Sequence, residues 1–141
     1  MSILIFNAGS KGRFGVDLLS VSEIIKRNTA QRFPGMNTYI NGVLDIRGRI
    51  VTIIDLPQLL LGASVDLESA SLIILDKKVG DYALKVSMVD CILKETAHFP
   101  VQQTKMRKYT KEVLVMDDAS LVQMLDLNAV LQVALNGQPL R

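Results

Sequence analysis

Tyr39-Ile40-Asn41-Gly42-Val43-Leu44-Asp45-Ile46-Arg47-Gly48-Arg49-Ile50-Val51-Thr52-Ile53-Ile54-Asp55-Leu56 reads as two strands folded back on one another. Aliphatic residues fill Tyr39–Ile46 and Arg49–Leu56, and Arg47-Gly48 lies between them as a turn. Glycine accepts positive φ there without steric cost, and Gly42 is a second position of the same kind. Pro57 then opens a short helical piece through Leu61, because its missing N–H is no loss in a first helical turn. Gly62 ends that piece.

The same grammar extends in both directions. Ser2–Asn7 and Arg13–Asp17 form a strand pair joined around Gly9–Gly12. Leu18–Ile25 places Leu18, Val21, Ile24 and Ile25 on one helical face, with an end that is also compatible with strand. Thr29–Met36, with Pro34-Gly35, reads as a loop. Downstream, Ser71–Leu75 and Tyr82–Met88 flank an Asp76–Asp81 turn, and Val89–Lys94 continues as strand. Thr96–Tyr109 is polar, contains Pro100 and is expected to connect. Glu112–Met116 and Leu121–Leu125 make a hairpin around Asp117–Ser120, and Asn128–Leu135 closes as an apolar helix capped by Asp126 or Asn128.

About ten short strands and three helical pieces give a mainly β chain. Crossover helices of 10–15 residues do not alternate with the strands, which disfavours a parallel βαβ fold. Two small antiparallel barrels or one elaborate barrel would remove exposed edges. The 141 residues are near one domain in size. A hydrophobic share of 49% with 21% charge excludes disorder. The core must be aliphatic, since aromatics make up 5% and tryptophan is absent. A formal charge of +2 does not by itself imply nucleic acid or membrane as partner. The amino-terminal run lacks the basic flank and length of an export signal, and no stretch approaches the ~20 apolar residues that cross a bilayer. A soluble cytoplasmic protein is expected.

Candidate chemistry is sparse. Cys91 and His98 are the single cysteine and histidine. Seven residues apart, they form no metal-ligand spacing, and an activated Cys–His pair lacks context. Asp117-Asp118 is better explained as turn chemistry than as an acid–base pair. Gly9-Ser10-Lys11-Gly12 lacks the spacing of a phosphate loop. Lys105, Arg107, Lys108 and Lys111 read as a solvated basic stretch. No cofactor and no metal are expected.

Five segments, in order, resemble the CheW family of chemotaxis adaptors. They are Leu4-Ile5-Phe6, Phe14-Gly15-Val16-Asp17, Val21-Ser22-Glu23-Ile24, the quoted 39–56 stretch, and Leu121-Val122-Gln123-Met124-Leu125-Asp126-Leu127. The likeness runs over roughly residues 4–131 and is most specific in 39–56. It departs from the family pattern at Thr52, where proline is frequent, at Ser87, where aspartate is usual, and at Glu112. The resemblance implies two packed SH3-like five-stranded barrels with short helices in one domain over 1–141. The first barrel would span roughly 12–70 and the second roughly 71–125, with the N-terminal strand a candidate to join the second; a terminal helix covers about 127–135.

The function implied is that of a non-enzymatic adaptor between the regulatory domain of a CheA-type histidine kinase and the cytoplasmic tip of a chemoreceptor. The alternatives are a CheW-like adaptor of another pathway, such as pilus-based motility, and a small enzyme using Cys91 and His98. Glu23 and Arg47 match positions that shape the family's partner-binding surface, and an arginine fork suits a carboxylate; the two are expected to meet. Gly42 and Gly48 would hold Arg47 in place. Val16, Val21, Ile24 and Val86 match the family's receptor groove or its adjoining core, and the residues alone leave open which of them face outward.

Overall fold

A computed structural model describes residues 1–9, 12–26, 37–66, 68–94, 99–103 and 109–137, with Gln102 and Gln103 described in backbone only. Among the described residues there are eleven strands: β1 Ile3–Asn7, β2 Arg13–Asp17, β3 Val21–Ile25, β4 Ile40–Ile46, β5 Arg49–Asp55, β6 Ser71–Leu75, β7 Tyr82–Val86, β8 Met88–Leu93, β9 Val101–Gln103, β10 Thr110–Val115 and β11 Leu121–Leu125. A 3-10 turn covers Leu18–Ser20, and two helices, α1 Leu56–Leu61 and α2 Leu127–Asn136, complete the fold.

The strands form two sheets. One has the order β8-β1-β2-β11-β10-β9 and the other β3-β6-β7-β5-β4. Pairing is antiparallel except for β2 with β11 and β5 with β7. Two packed β-layers with short helices are therefore present, as expected, but with six and five strands. The extra strand is β9, inside the 96–109 segment expected to be a loop. It is only three residues long and follows Pro100, too short for any alternation to show. Among the described residues neither sheet closes into a barrel by strand pairing.

Strand membership also differs from a division near residue 70. β6 and β7 belong with β3–β5, whereas β2 pairs with β1 and β11 in the other sheet. Hairpin signals fix only neighbouring strands. Long-range pairs decide the rest: the parallel Thr52–Asp55 beside Tyr82–Lys85 and Arg13–Gly15 beside Val122–Met124, and the antiparallel β1 with β8 and β3 with β6.

Leu18–Ile25 is helical only over Leu18–Ser20, where Asp17 accepts from the Leu19 N–H. The apolar spacing of that stretch fits both periods. Val21, Ile24 and Ile25 are β-branched, and β6 offers them a ladder to join. The Thr29–Met36 loop lies outside the described residues.

The strongly apolar runs have a structural cause. Successive side chains of a strand point to opposite faces, and here both faces of the central strands are covered. Leu4 and Phe6 of β1 enter a cluster between the sheets with Phe14, Val16, Ile54, Ile73, Leu75, Leu84 and Val86. Ile3 and Ile5 point the other way, to Leu114, Val122 and Met124 inside the six-stranded sheet. Leu72 and Ile74 of β6 likewise meet Leu44, Val51, Ile53 and Ala83 inside the five-stranded sheet. Each sheet thus curls over a core of its own and shares a third with its neighbour. The α2 helix, capped by Asp126 and ended at Gly137, adds Val130, Leu131, Val133 and Ala134 to the shared cluster.

Truncating Leu84, which is fully buried between the sheets, should cost about 2–5 kcal/mol, the range for buried Leu-to-Ala changes. Urea unfolding of Leu84→Ala checks this, and a loss below 1 kcal/mol would contradict the shared-core assignment.

Candidate functional site

The β4–β5 connection is a two-residue turn with Arg47 at φ 50 and Gly48 at φ 86. Left-handed conformations at both positions match the twist of the flanking strands. Asp45 Oδ1 accepts from the Gly48 N–H at 2.7 Å and stiffens the turn. On the same strand the pairing slips between Ile40 and Gly42, and Gly42 takes φ 136. Both glycines therefore serve backbone geometry and neither offers a side chain to a partner.

The turn projects Arg47, whose Nη2 donates to Glu23 Oε2 at 2.5 Å. The direct contact expected between these residues is present. Its placement is informative, because β3 and β4 are the two outer strands of the five-stranded sheet. Glu23 and Arg47 therefore bridge the open seam where the curled sheet brings its edges together. Arg47 stays 75% exposed while Glu23 is largely covered, so the guanidinium is presented outward with one side tethered. A cavity of about 380 Å³ lies beside it, between Ser22, Ile46, Arg49, Ile74, Asp76 and Lys77. Arg49 is held in turn by Asp81 Oδ1 and the Gly80 carbonyl, each at 2.8 Å.

The four matched aliphatics separate. Val16 and Val86 are buried in the shared core and present nothing at the surface. Val21 is half-buried against that core. Ile24, on the outer strand β3, is 41% exposed. Strand alternation places Ile24 away from the partly covered side of Glu23 and Ile25, and a register slip between Val21 and Glu23 leaves Val21 against the shared core instead.

A second charged group was not singled out from the sequence. Asp55 and Lys85 are register partners in the β5–β7 pair, with side chains only 3% and 1% exposed. Lys85 Nζ donates to Asp55 Oδ2 at 3.3 Å, to Ser64 Oγ at 2.8 Å and to the Val65 carbonyl at 2.8 Å. Ser64 Oγ donates to Asp55 Oδ2 at 2.5 Å. The other carboxylate oxygen of Asp55 accepts from the Gln58 N–H and caps α1. The available signal was a lysine set between Leu84 and Val86 in a strand with buried neighbours, with Asp55 just ahead of Pro57.

Two departures from the family pattern also acquire a reason. The Ser87 hydroxyl lies 2.9 Å from the Asn7 carbonyl and 3.1 Å from the Gly9 carbonyl, within donating reach of both. An ionised aspartate has no proton to give those oxygens. The Thr52 N–H donates to the Asp81 carbonyl at 3.0 Å, a bond that proline lacks.

The remaining candidates stay apart from these groups. Asp118 accepts from the Ser120 N–H and hydroxyl within its turn, and those bonds hold its carboxyl below the ordinary value. Cys91 is half-buried against the Ile3–Ile5 cluster. Residues 10 and 11, His98, Lys105, Arg107 and Lys108 lie outside the described residues. Among the described residues no group of three His, Cys, Asp or Glu is placed to hold a metal ion, and no helix is long and apolar enough to cross a membrane.

A family model described as "CheW-like domain" matches residues 2–135. The chain belongs to the CheW-like domain family. Among solved structures it is similar to the scaffolding protein TtCheW from Thermoanaerobacter tengcongensis, with a TM-score of 0.78 and 19% identity over 99% of this chain and 96% of that one. At that identity the likeness establishes the fold. A comparison with curated proteins gives no match. The CheW-like resemblance stated from the 39–56 stretch is thereby established, and the Glu23–Arg47 seam lies inside the matched region.

Replacing Arg47 by Gln should change stability by less than about 1 kcal/mol, as for exposed ion pairs. Lys85→Met should cost about 3–5 kcal/mol by leaving Asp55 buried without its cation. Chemical denaturation of both variants compares the pairs directly, and equal losses would contradict the contrast. In the same assay Ser87→Asp should lose about 1–3 kcal/mol, because it turns an acceptor toward two carbonyls.

Proposed function

We propose that this CheW-like domain is a non-enzymatic, cytoplasmic adaptor that holds a CheA-type histidine kinase and a chemoreceptor in one assembly. The observation that carries the reading is the Glu23–Arg47 seam. It is an outward arginine on a rigid turn, tethered by a carboxylate from the opposite edge of the sheet. Such a fork is pre-organised for a partner carboxylate or carbonyl, so little side-chain entropy is lost on binding. Ile50, exposed just beyond the turn, adds apolar area. This surface would receive the kinase's regulatory domain.

Val86 and Ser87 run instead along the junction between the sheets, and the receptor would lie there. Buried Val86 and Val16 would shape that groove from beneath and make no contact themselves. Holding two partners on one small domain raises their effective concentration for each other, so each contact can be weak. Ser87 is the observation that keeps an adaptor of another pathway, such as pilus-based motility, as a second reading, because it changes the groove chemistry where the family usually has aspartate.

Titration calorimetry with the kinase regulatory domain tests the main reading. Arg47→Glu should weaken binding by about tenfold or more, in the range of a charged interface contact. The swapped pair Glu23→Arg with Arg47→Glu, which keeps the bridge but reverses its polarity, should not restore it. Wild-type chain that binds neither kinase nor receptor fragment would overturn the adaptor reading. Selective binding to a pilus-system kinase would favour the second.

A further inference from the structure

We propose that Lys85 is a positioning residue: its buried ammonium pins the segment after α1 and thereby sets the junction between the two sheets at which a partner would dock. This rests on the adaptor reading above and adds a device within it.

The geometry forms a circuit. Asp55 holds both ends of α1 at once, with Oδ1 on the Gln58 N–H at its start and Oδ2 on the Ser64 hydroxyl just past its end. Lys85, from the neighbouring strand, reaches the same Oδ2, the Ser64 oxygen and the Val65 carbonyl. Gly62–Asp66 has no regular structure, so these bonds fix where it crosses the sheet. That crossing fixes α1, and the last residue of α1, Leu61, is apolar and partly exposed.

Leu61 in turn abuts the other sheet. A Cβ on Gly9, in the β1–β2 connection, would fall 2.8 Å from Leu61 Cδ1 and 4.0 Å from Pro57 Cβ. The Gly9 carbonyl lies within reach of the Ser87 hydroxyl, and Ser87 stands two residues beyond Lys85 on the chain. Lys85, the 62–66 segment, Leu61, Gly9 and Ser87 thus close a ring across the junction. Lysine suits the role because a buried ammonium without its oxygens is strongly disfavoured, which makes the latched arrangement nearly all-or-none.

A simple loss of the cation would also leave Asp55 uncompensated. The informative variant is therefore Lys85→Met with Asp55→Asn, which removes both charges and keeps the side-chain oxygen that caps α1. Ser64→Ala, at a largely exposed residue, is the milder companion. Amide exchange followed by mass spectrometry should show protection in 58–66 falling about tenfold or more, while β1 and β6 stay protected. Affinity for a chemoreceptor cytoplasmic fragment should fall about tenfold, and affinity for the kinase regulatory domain should hold.

Unchanged exchange in 58–66 would overturn the latch, as would an equal rise across every strand. A parallel loss of both affinities would reduce Lys85 to a stability role and overturn the positioning claim. If the wild-type chain binds no receptor fragment, it is the adaptor reading that fails, and the exchange result alone decides whether the latch exists.

Discussion

Both sheets of this domain depend on a single constraint: their central strands must be covered on both faces. Leu4, Phe6, Ile73, Leu75, Leu84 and Val86 can be dry only if the two sheets lie against each other. Ile3, Ile5, Leu72 and Ile74 can be dry only if each sheet curls over its own interior. Fully burying one such side chain stabilises by about 1.5–3 kcal/mol. Neither sheet alone meets both demands, so the halves fold as one unit around the shared layer.

That constraint explains where the polar features sit. Curling brings the outer strands β3 and β4 of the smaller sheet close at one end, and Glu23 and Arg47 span the gap. Packing of the sheets leaves a junction, which Ser87 stitches through the Asn7 and Gly9 carbonyls. Two ion pairs of the smaller sheet, Glu23–Arg47 and Asp55–Lys85, are alike in chemistry and opposite in environment. Water screens Arg47, so its pair adds little to stability and is free to exchange partners. No water screens Lys85, so its oxygens are a condition of burial.

Much of this was legible in the chain. The β4–β5 hairpin, its Arg47-Gly48 turn, the Pro57 helix and the Asp126-capped terminal helix follow from turn and capping chemistry acting over a few residues. The direct Glu23–Arg47 contact was legible only through family likeness, since 24 positions separate the two in sequence. Leu18–Ile25 misled, because Leu18, Val21, Ile24 and Ile25 satisfy both helical and strand periods and β6 settles the matter. β9 was too short to carry a pattern.

By itself the sequence determined the alphabet of elements: local hydrogen bonds, backbone preferences and alternation are set by near neighbours. It also determined the family, through the spacing within 39–56. Only the tertiary structure decided which strands share a sheet, because parallel pairs such as β5 with β7 join distant segments with no turn to mark them. For the same reason it alone decided that Val16 and Val86 are core, that Ile24 is exposed, and that Lys85 is buried against Asp55 and Ser64. Burial is a property of what lies across a strand, and the chain lists only what lies along it.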